Sequence, residues 1–230
     1  TLELGGNDAG IVLPDADIDA IAERLFGVCF HNNGQTCAAL KRLYVHESQH
    51  DALVDAFTKL ANAAVVGNGL EESTELGPVQ NARQLNIVKD LVAAALAEGG
   101  TIAVGGKSTN DRGYFYPPTV VTGLKDGNRL VDEEQFGPVI PIIKYTDVNT
   151  AIESANTNKS GLGASIWSND TATAAALASR FETGSVWIND HGAVKPNAPF
   201  GGVKQSGIGV EFGQHGLKEY TTIQTLHITK

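Results

Sequence analysis

Methionine is absent from this chain, cysteine and tryptophan occur twice each, and 17 Lys and Arg face 26 Asp and Glu. Each shortage excludes something. Two thiols, Cys29 and Cys37, are too few for a disulfide-built secreted scaffold. A formal charge of -9 without any basic cluster argues against a surface for nucleic acid or anionic membrane, because holding phosphates needs clustered Lys and Arg. No window approaches the roughly 18 consecutive apolar residues of a membrane-spanning helix. Nothing after Thr1 reads as a signal peptide, so the expected setting is the reducing cytoplasm. A chain that lacks Met and opens at Thr1 in an apolar, Gly-containing segment reads as a processed product or an excised piece. What is present suffices for a real core, since 230 residues at 42% hydrophobic composition can bury a large apolar surface. With no repeat, low-complexity tract or linker, one domain is expected over residues 1–230.

Strand and helix patterns alternate along the chain. Ile11 to Leu13 is a short apolar strand, and "PDADIDAIAERLFGVCF" follows as a helix whose first turn is acidic, as the helix dipole favours. "RLYVH" reads as a strand. "DALVDAFTKLANAAVV" then carries Leu53, Val54, Phe57 and Leu60 on one helical stripe. After a loop from Gly67 to Pro78, "ARQLNIVKDLVAAALAEGG" gives a long helix closed by Gly99 and Gly100. Strands "TIAVG", "PTVVT" and "VIPIIKY" precede helix "VNTAIESAN", strand "GASIWS", helix "TATAAALASRF" and strand "SVWIN". This order predicts a layered α/β/α domain with a mostly parallel sheet, whose chemistry belongs on loops at strand ends.

"FHNNGQTCAAL" is such a loop. Gly34 allows a turn that other residues resist, and the surrounding amides favour hydrogen bonding over packing. A thiolate at Cys37 would be stabilised by backbone N–H groups or a helix N-terminus, and "CAALKR" offers a candidate for such an end. A small buried hydrophobe is the competing reading of Cys37, and for Cys29, inside the apolar "RLFGVCF", it is the better one. Cys29, His31, Cys37 and His46 lack the close paired spacing of a zinc site, so no metal is assigned. A Cys-His hydrolase would need His31, His46, His50, His191, His215 or His227 as base, and none has a distinguishing local context.

Three stretches taken together are specific. "LELGGND" at 2–8, "GQTC" at 34–37 and "EEQFGPV" at 133–139 resemble signature segments of the aldehyde dehydrogenase superfamily. The spacing agrees, with Glu3 lying 34 positions before Cys37 and Glu134 lying 97 after it. "YPPTVV", "VWIN" and "PFGGVKQSGIG" add matches in the same order, so the resemblance spans essentially the whole chain.

The resemblance implies a catalytic domain in which Cys37 attacks an aldehyde, a hydride passes to NAD or NADP, and Glu3 activates the water that hydrolyses the resulting thioester. Partial burial would suit Glu3 to that role by raising its pKa. The Cys37 N–H would be one oxyanion donor. Glu134 would accept from nicotinamide-ribose hydroxyls, with Phe136 beside the ring. His31, Val194 and Phe200 would line the substrate tunnel, and a polar His31 with a small Val194 suits flat aromatic substrates less well. Asn7 and Asp8 depart from the Lys that many relatives carry after "ELGG".

A dinucleotide-binding domain, which precedes "ELGG" in the family together with the Asn of the oxyanion hole, is expected to be absent from this chain. Poor NAD(P) binding and little dehydrogenase turnover by the chain alone follow from that absence. "GGKSTNDRGYF" and "GGVKQSGIG" read as hairpin or surface loops rather than phosphate cradles. The β-branched "YTTIQTLHI", residues 220–228, is expected to pair with a sheet edge of another subunit, making a homo-oligomer. A thiol esterase or thioesterase, and a non-catalytic structural relative, are the other readings of the same residues.

Overall fold

A computed structural model describes residues 1–108 and 112–230. Part of the "GGKSTNDRGYF" stretch, residues 109–111, therefore lies outside the described residues. The elements run β1 (Leu2–Glu3), β2 (Asp8–Val12), α1 (Ile18–Phe30), β3 (Leu40–His46), α2 (Glu47–Ala63), α3 (Ala82–Ala97), β4 (Thr101–Val104), β5 (Thr119–Thr122) and α4 (Arg129–Asp132). They continue with β6 (Val139–Tyr145), α5 (Val148–Thr157), β7 (Ser160–Gly161), β8 (Gly163–Trp167), α6 (Thr171–Ala178), β9 (Ser185–Ile188), β10 (Val203–Lys204), β11 (Gly207–Ile208) and α7 (Gly213–Lys218).

Seven strands form one sheet in the order β4-β5-β6-β3-β2-β8-β9. Every neighbouring pair is parallel except β4 with β5, so the expected mostly parallel sheet is present. Alternation along each strand sends side chains to opposite faces. Ile11, Tyr44, Val121, Ile143 and Ile166 join the apolar faces of α3, α5 and α6 on one side. Val12, Val45, Val120, Ile142 and Trp167 join Leu25 of α1 and Leu53 and Phe57 of α2 on the other. The result is the α/β/α layering that the sequence pattern predicts.

Helix ends follow their local chemistry. Asp17, Asp147 and Asp170 each cap a helix by accepting backbone N–H groups, at Ala20, Thr150, and Ala172 with Thr173 respectively. At the end of α3, Gly99 adopts φ +94°, and the N–H of Gly100 returns to the Ala95 carbonyl at 2.8 Å, closing the helix as the Gly pair foretells. Buried Arg42 of β3 donates to the carbonyls of Asn7 and Ala155 at 2.8 and 3.2 Å, so its charge stitches β2 to the end of α5 without an unmet donor cost.

One expectation needs correction. "CAALKR" starts no helix, because residues 36–39 make a turn that runs straight into β3. Residues 220–228 form no strand within this chain, and Ile223, Leu226 and Ile228 stand 99%, 82% and 75% exposed. A strand needs a hydrogen-bonded neighbour, and among the described residues no sheet edge supplies one to that segment.

Candidate active site

The turn bearing Cys37 enters the amino end of β3, and "LELGGND" and "EEQFG" likewise run into the amino ends of β2 and β6. The candidate site therefore lies at the end of the sheet opposite the one where doubly wound folds place ligands. Asn32 and Asn33 adopt left-handed φ values of 50° and 60°, and the chain reverses there. Gly34 follows at φ +71°, packed so that a Cβ would fall 2.2 Å from the Gly137 carbonyl oxygen. Only glycine allows that approach.

Amide side chains lock the loop, as its composition suggests. Asn33 Nδ2 donates to the Gly77 carbonyl at 3.0 Å, Gln35 Nε2 donates to Pro78 at 3.2 Å, and Gln35 Oε1 accepts the Gln80 N–H at 2.7 Å. Buried Gln135 reaches the carbonyls of Lys41 and Val139 at 3.0 and 2.7 Å, which ties the 133–138 segment to β3. The nucleophile turn and the Glu134 segment thus form one braced unit.

Cys37 is half-buried and lines a cleft of about 550 Å³ together with His31, His191, Val194 and Phe200. All three residues expected of the tunnel therefore line the same cleft as Cys37. Cys29 is elsewhere, sealed in the core under α1, where burial holds its thiol firmly protonated. Burial also pushes the Cys37 thiol up, and the Glu3 carboxylate adds to this, while the Ala38 N–H and the Lys41 ammonium oppose it. One backbone N–H, that of Ala38, takes the place of a helix end in favouring the charged sulfur.

Glu3 does not line the cleft. It stands exposed on the two-residue β1, and its Oε1 accepts the Gly5 N–H at 2.9 Å. The partial burial expected of it is not there, because β1 pairs only with β11 and no layer covers it. Its charge still acts on Cys37, adding to burial in raising the thiol's pKa.

Glu134 and Phe136 sit on the far side of the same turn. Glu134 Oε1 contacts Lys41 Nζ at 3.2 Å and the Gly6 N–H at 3.4 Å. Neither of these falls on Oε2, which packs against Gly5 (φ +92°) so closely that a Cβ there would lie 2.7 Å from it. Burial raises the Glu134 pKa, against the pull of Lys41 and the Gly6 N–H. A half-buried carboxylate whose second oxygen accepts neither of these contacts suits a hydroxyl donor such as a ribose.

Sequence reasoning missed the polar floor of the site. Asp8, noticed only as a departure, is fully buried beside His191, with Oδ2 and Nε2 3.4 Å apart. Asp8 Oδ1 accepts the Gly163 N–H at 3.0 Å, and His191 Nδ1 meets Ser165 Oγ at 3.0 Å. His46 and His50 are engaged with Ser48 and Asp51 at 2.8 and 2.7 Å. No local signal could mark Asp8, Lys41 or His191, because only the folded sheet brings their distant positions around Cys37. No group of three or more His, Cys, Asp or Glu among the described residues is placed to hold a metal ion, and no helix is long and apolar enough to cross a membrane.

These features agree with what comparison finds. A family model described as the aldehyde dehydrogenase family matches residues 1–226, and the chain belongs to that family. It is 39% identical over 228 residues to a protein named retinal dehydrogenase 2 from Gallus gallus, covering 99% of this chain and 44% of that one. It is 38% identical to a succinate-semialdehyde dehydrogenase [NADP(+)] from Mycobacterium ulcerans, covering 99% of this chain and 50% of that one. A Bacillus cereus aldehyde dehydrogenase solved as its NAD+ complex superposes with TM-score 0.93 at 40% identity, over 96% of this chain and 45% of that chain. The chain thus spans about half the length of the relatives it matches.

Proposed function

We propose that this chain is the thiol-bearing part of an NAD- or NADP-dependent aldehyde dehydrogenase, with Cys37 as nucleophile. The carrying observation is the half-buried Cys37 at the head of a cleft, on a turn braced to the segment that bears Glu134. Once its proton has passed to solvent water, the sulfur adds to the aldehyde carbon and forms a thiohemiacetal whose oxyanion faces the turn's backbone N–H groups. NAD or NADP, when bound, accepts the hydride. Glu134 would hold a ribose hydroxyl through its open oxygen, and Phe136 would flank the ring. The thioester left on Cys37 is hydrolysed by water that Glu3 deprotonates, releasing the carboxylic acid and the thiol.

The chain alone would hold the cofactor poorly. Its β2–α1, β6–α5 and β8–α6 turns carry no glycine, and each of those helix N-termini is already occupied by an anionic Asp cap where a phosphate would otherwise bind. The pyrophosphate and adenosine contacts belong to a dinucleotide-binding domain outside these 230 residues. The exposed apolar segment 220–228 would then pair with a sheet edge of a second copy, making a homo-oligomer.

The test is acylation by p-nitrophenyl acetate followed by mass analysis. An acetyl group on Cys37 that is released more slowly in Glu3→Gln supports the reading. A Cys37 that takes no acyl group in the folded chain, although it does so once denatured, would overturn it.

A further inference from the structure

Lys41 places its amino group in a strand interior, only 2% exposed, where an unpaired charge would be prohibitive. Its three donors are spoken for. Nζ lies 2.7 Å from the Thr36 carbonyl oxygen, 2.5 Å from that of Cys37, and 3.2 Å from Glu134 Oε1. The Phe136 ring centroid is 5.9 Å away. One cation thus touches the backbone of the nucleophile and the carboxylate assigned to the ribose, and it packs against the aromatic assigned to the ring. Gln135, by accepting no charge and donating to the Lys41 and Val139 carbonyls, holds the strand beneath it.

We propose that Lys41 is a positioning residue that clamps the Cys37 turn to Glu134 and supplies the positive charge that favours an ionised Cys37 sulfur. The inference rests on the nucleophile reading above and adds a residue to it. The other charged or titratable groups facing Cys37 oppose it or are spent elsewhere. Glu3 on β1 and Asp8 on β2 are anionic and disfavour the thiolate. Asp8 already faces His191, in the segment after β9. Arg24 of α1, on the cleft wall, is paired with Asp190 at 2.9 Å. His31 closes α1 at the exposed rim, and Glu134 is itself bound to Lys41. Lys41 is accordingly the cation that acts to lower the thiol's proton affinity.

The experiment is the pH profile of Cys37 alkylation by iodoacetamide, resolved from Cys29 by peptide mass, in the folded chain and in Lys41→Gln. Gln keeps donors for the two carbonyls and removes the charge. The expected result is a profile displaced upward by about one pH unit, with alkylation near neutrality about tenfold slower, while Lys41→Arg stays within about twofold of the unaltered chain. Glu134→Gln gives an independent reading, because it releases Lys41 from its counter-charge and should move the profile downward.

Superimposable profiles for the unaltered chain and a folded Lys41→Gln overturn the inference. If Lys41→Gln does not fold, an unmoved or upward-shifted Glu134→Gln profile overturns it instead. Acylation of the unaltered Cys37 by p-nitrophenyl acetate, measured alongside, separates the two levels. Where it occurs and the profiles coincide, only the role of Lys41 fails; where it does not occur, the nucleophile reading fails and takes this inference with it.

Discussion

Gly34 and Gly137 meet backbone to backbone, so close that a Cβ on Gly34 would stand 2.2 Å from the Gly137 carbonyl oxygen. This contact presses the Cys37 turn onto the segment carrying Glu134 and Phe136. Gly34→Ala must therefore both push two loops apart and hold an L-residue at φ +71°. The expected cost is about 3 kcal/mol, from overpacking and left-handed strain together. Chemical denaturation measures it. Acylation of Cys37 should fall as well, and a variant as stable as the parent would show that the loops yield freely.

The Glu3 charge adds to burial in holding the Cys37 pKa up. Because a neighbouring anion disfavours a thiolate, Glu3→Gln should move the Cys37 alkylation profile to lower pH and speed alkylation near neutrality. Release of an acetyl group from the same sulfur should slow. Opposite movements of the two rates distinguish a base acting on water from a residue that merely shapes the turn. A Glu3→Gln profile displaced to higher pH would contradict the geometry.

The two thiols should differ sharply. Cys29 is 4% exposed within the core and Cys37 faces a cleft. Iodoacetamide at mildly alkaline pH is expected to modify Cys37 alone, with Cys29 reacting only as fast as the chain unfolds. Equal labelling of both in native buffer would mean the α1 face is not packed as described.

Phe57 of α2 lies fully buried under the sheet, among Phe26, Leu53 and Trp167. Its ring meets Phe26 edge-on at 5.5 Å. Phe57→Ala should cost about 3–5 kcal/mol by thermal or chemical unfolding. It should leave the ordering of Cys37 over Cys29 in alkylation intact wherever the variant remains folded.

Residues 220–228 expose Tyr220, Ile223, Leu226 and Ile228 and join no strand among the described residues. Light scattering of the chain should report a dimer or larger, and removing residues 220–230 should reduce association. A monomer at high concentration, or association unchanged by the deletion, would exclude this segment as the interface.

Much of this was readable from the amino acids because it is local. Periodicity placed the helices and strands, since burying one face needs a repeat of 3.6 or 2 residues. The caps at Asp17, Asp147 and Asp170 are equally local, because a cap bonds within a few residues of itself. The "GQTC" turn was recognisable from Gly34 and its amides for the same reason. Where local rules ran out, the reading erred. "CAALKR" has helical composition yet becomes a strand, because Leu40, Leu43 and Val45 are claimed by the central sheet and tertiary burial outweighs propensity.

The amino acids by themselves determined which side chains could do chemistry and where along the chain they stand: the thiol at 37, the carboxylates at 3 and 134, the alternating layers between them. Only the tertiary structure decided which of them meet. It left Glu3 in the open, sank Asp8 against His191, and set Lys41 between the Cys37 carbonyl and Glu134, because a contact spanning 93 positions is made by sheet order and not by spacing.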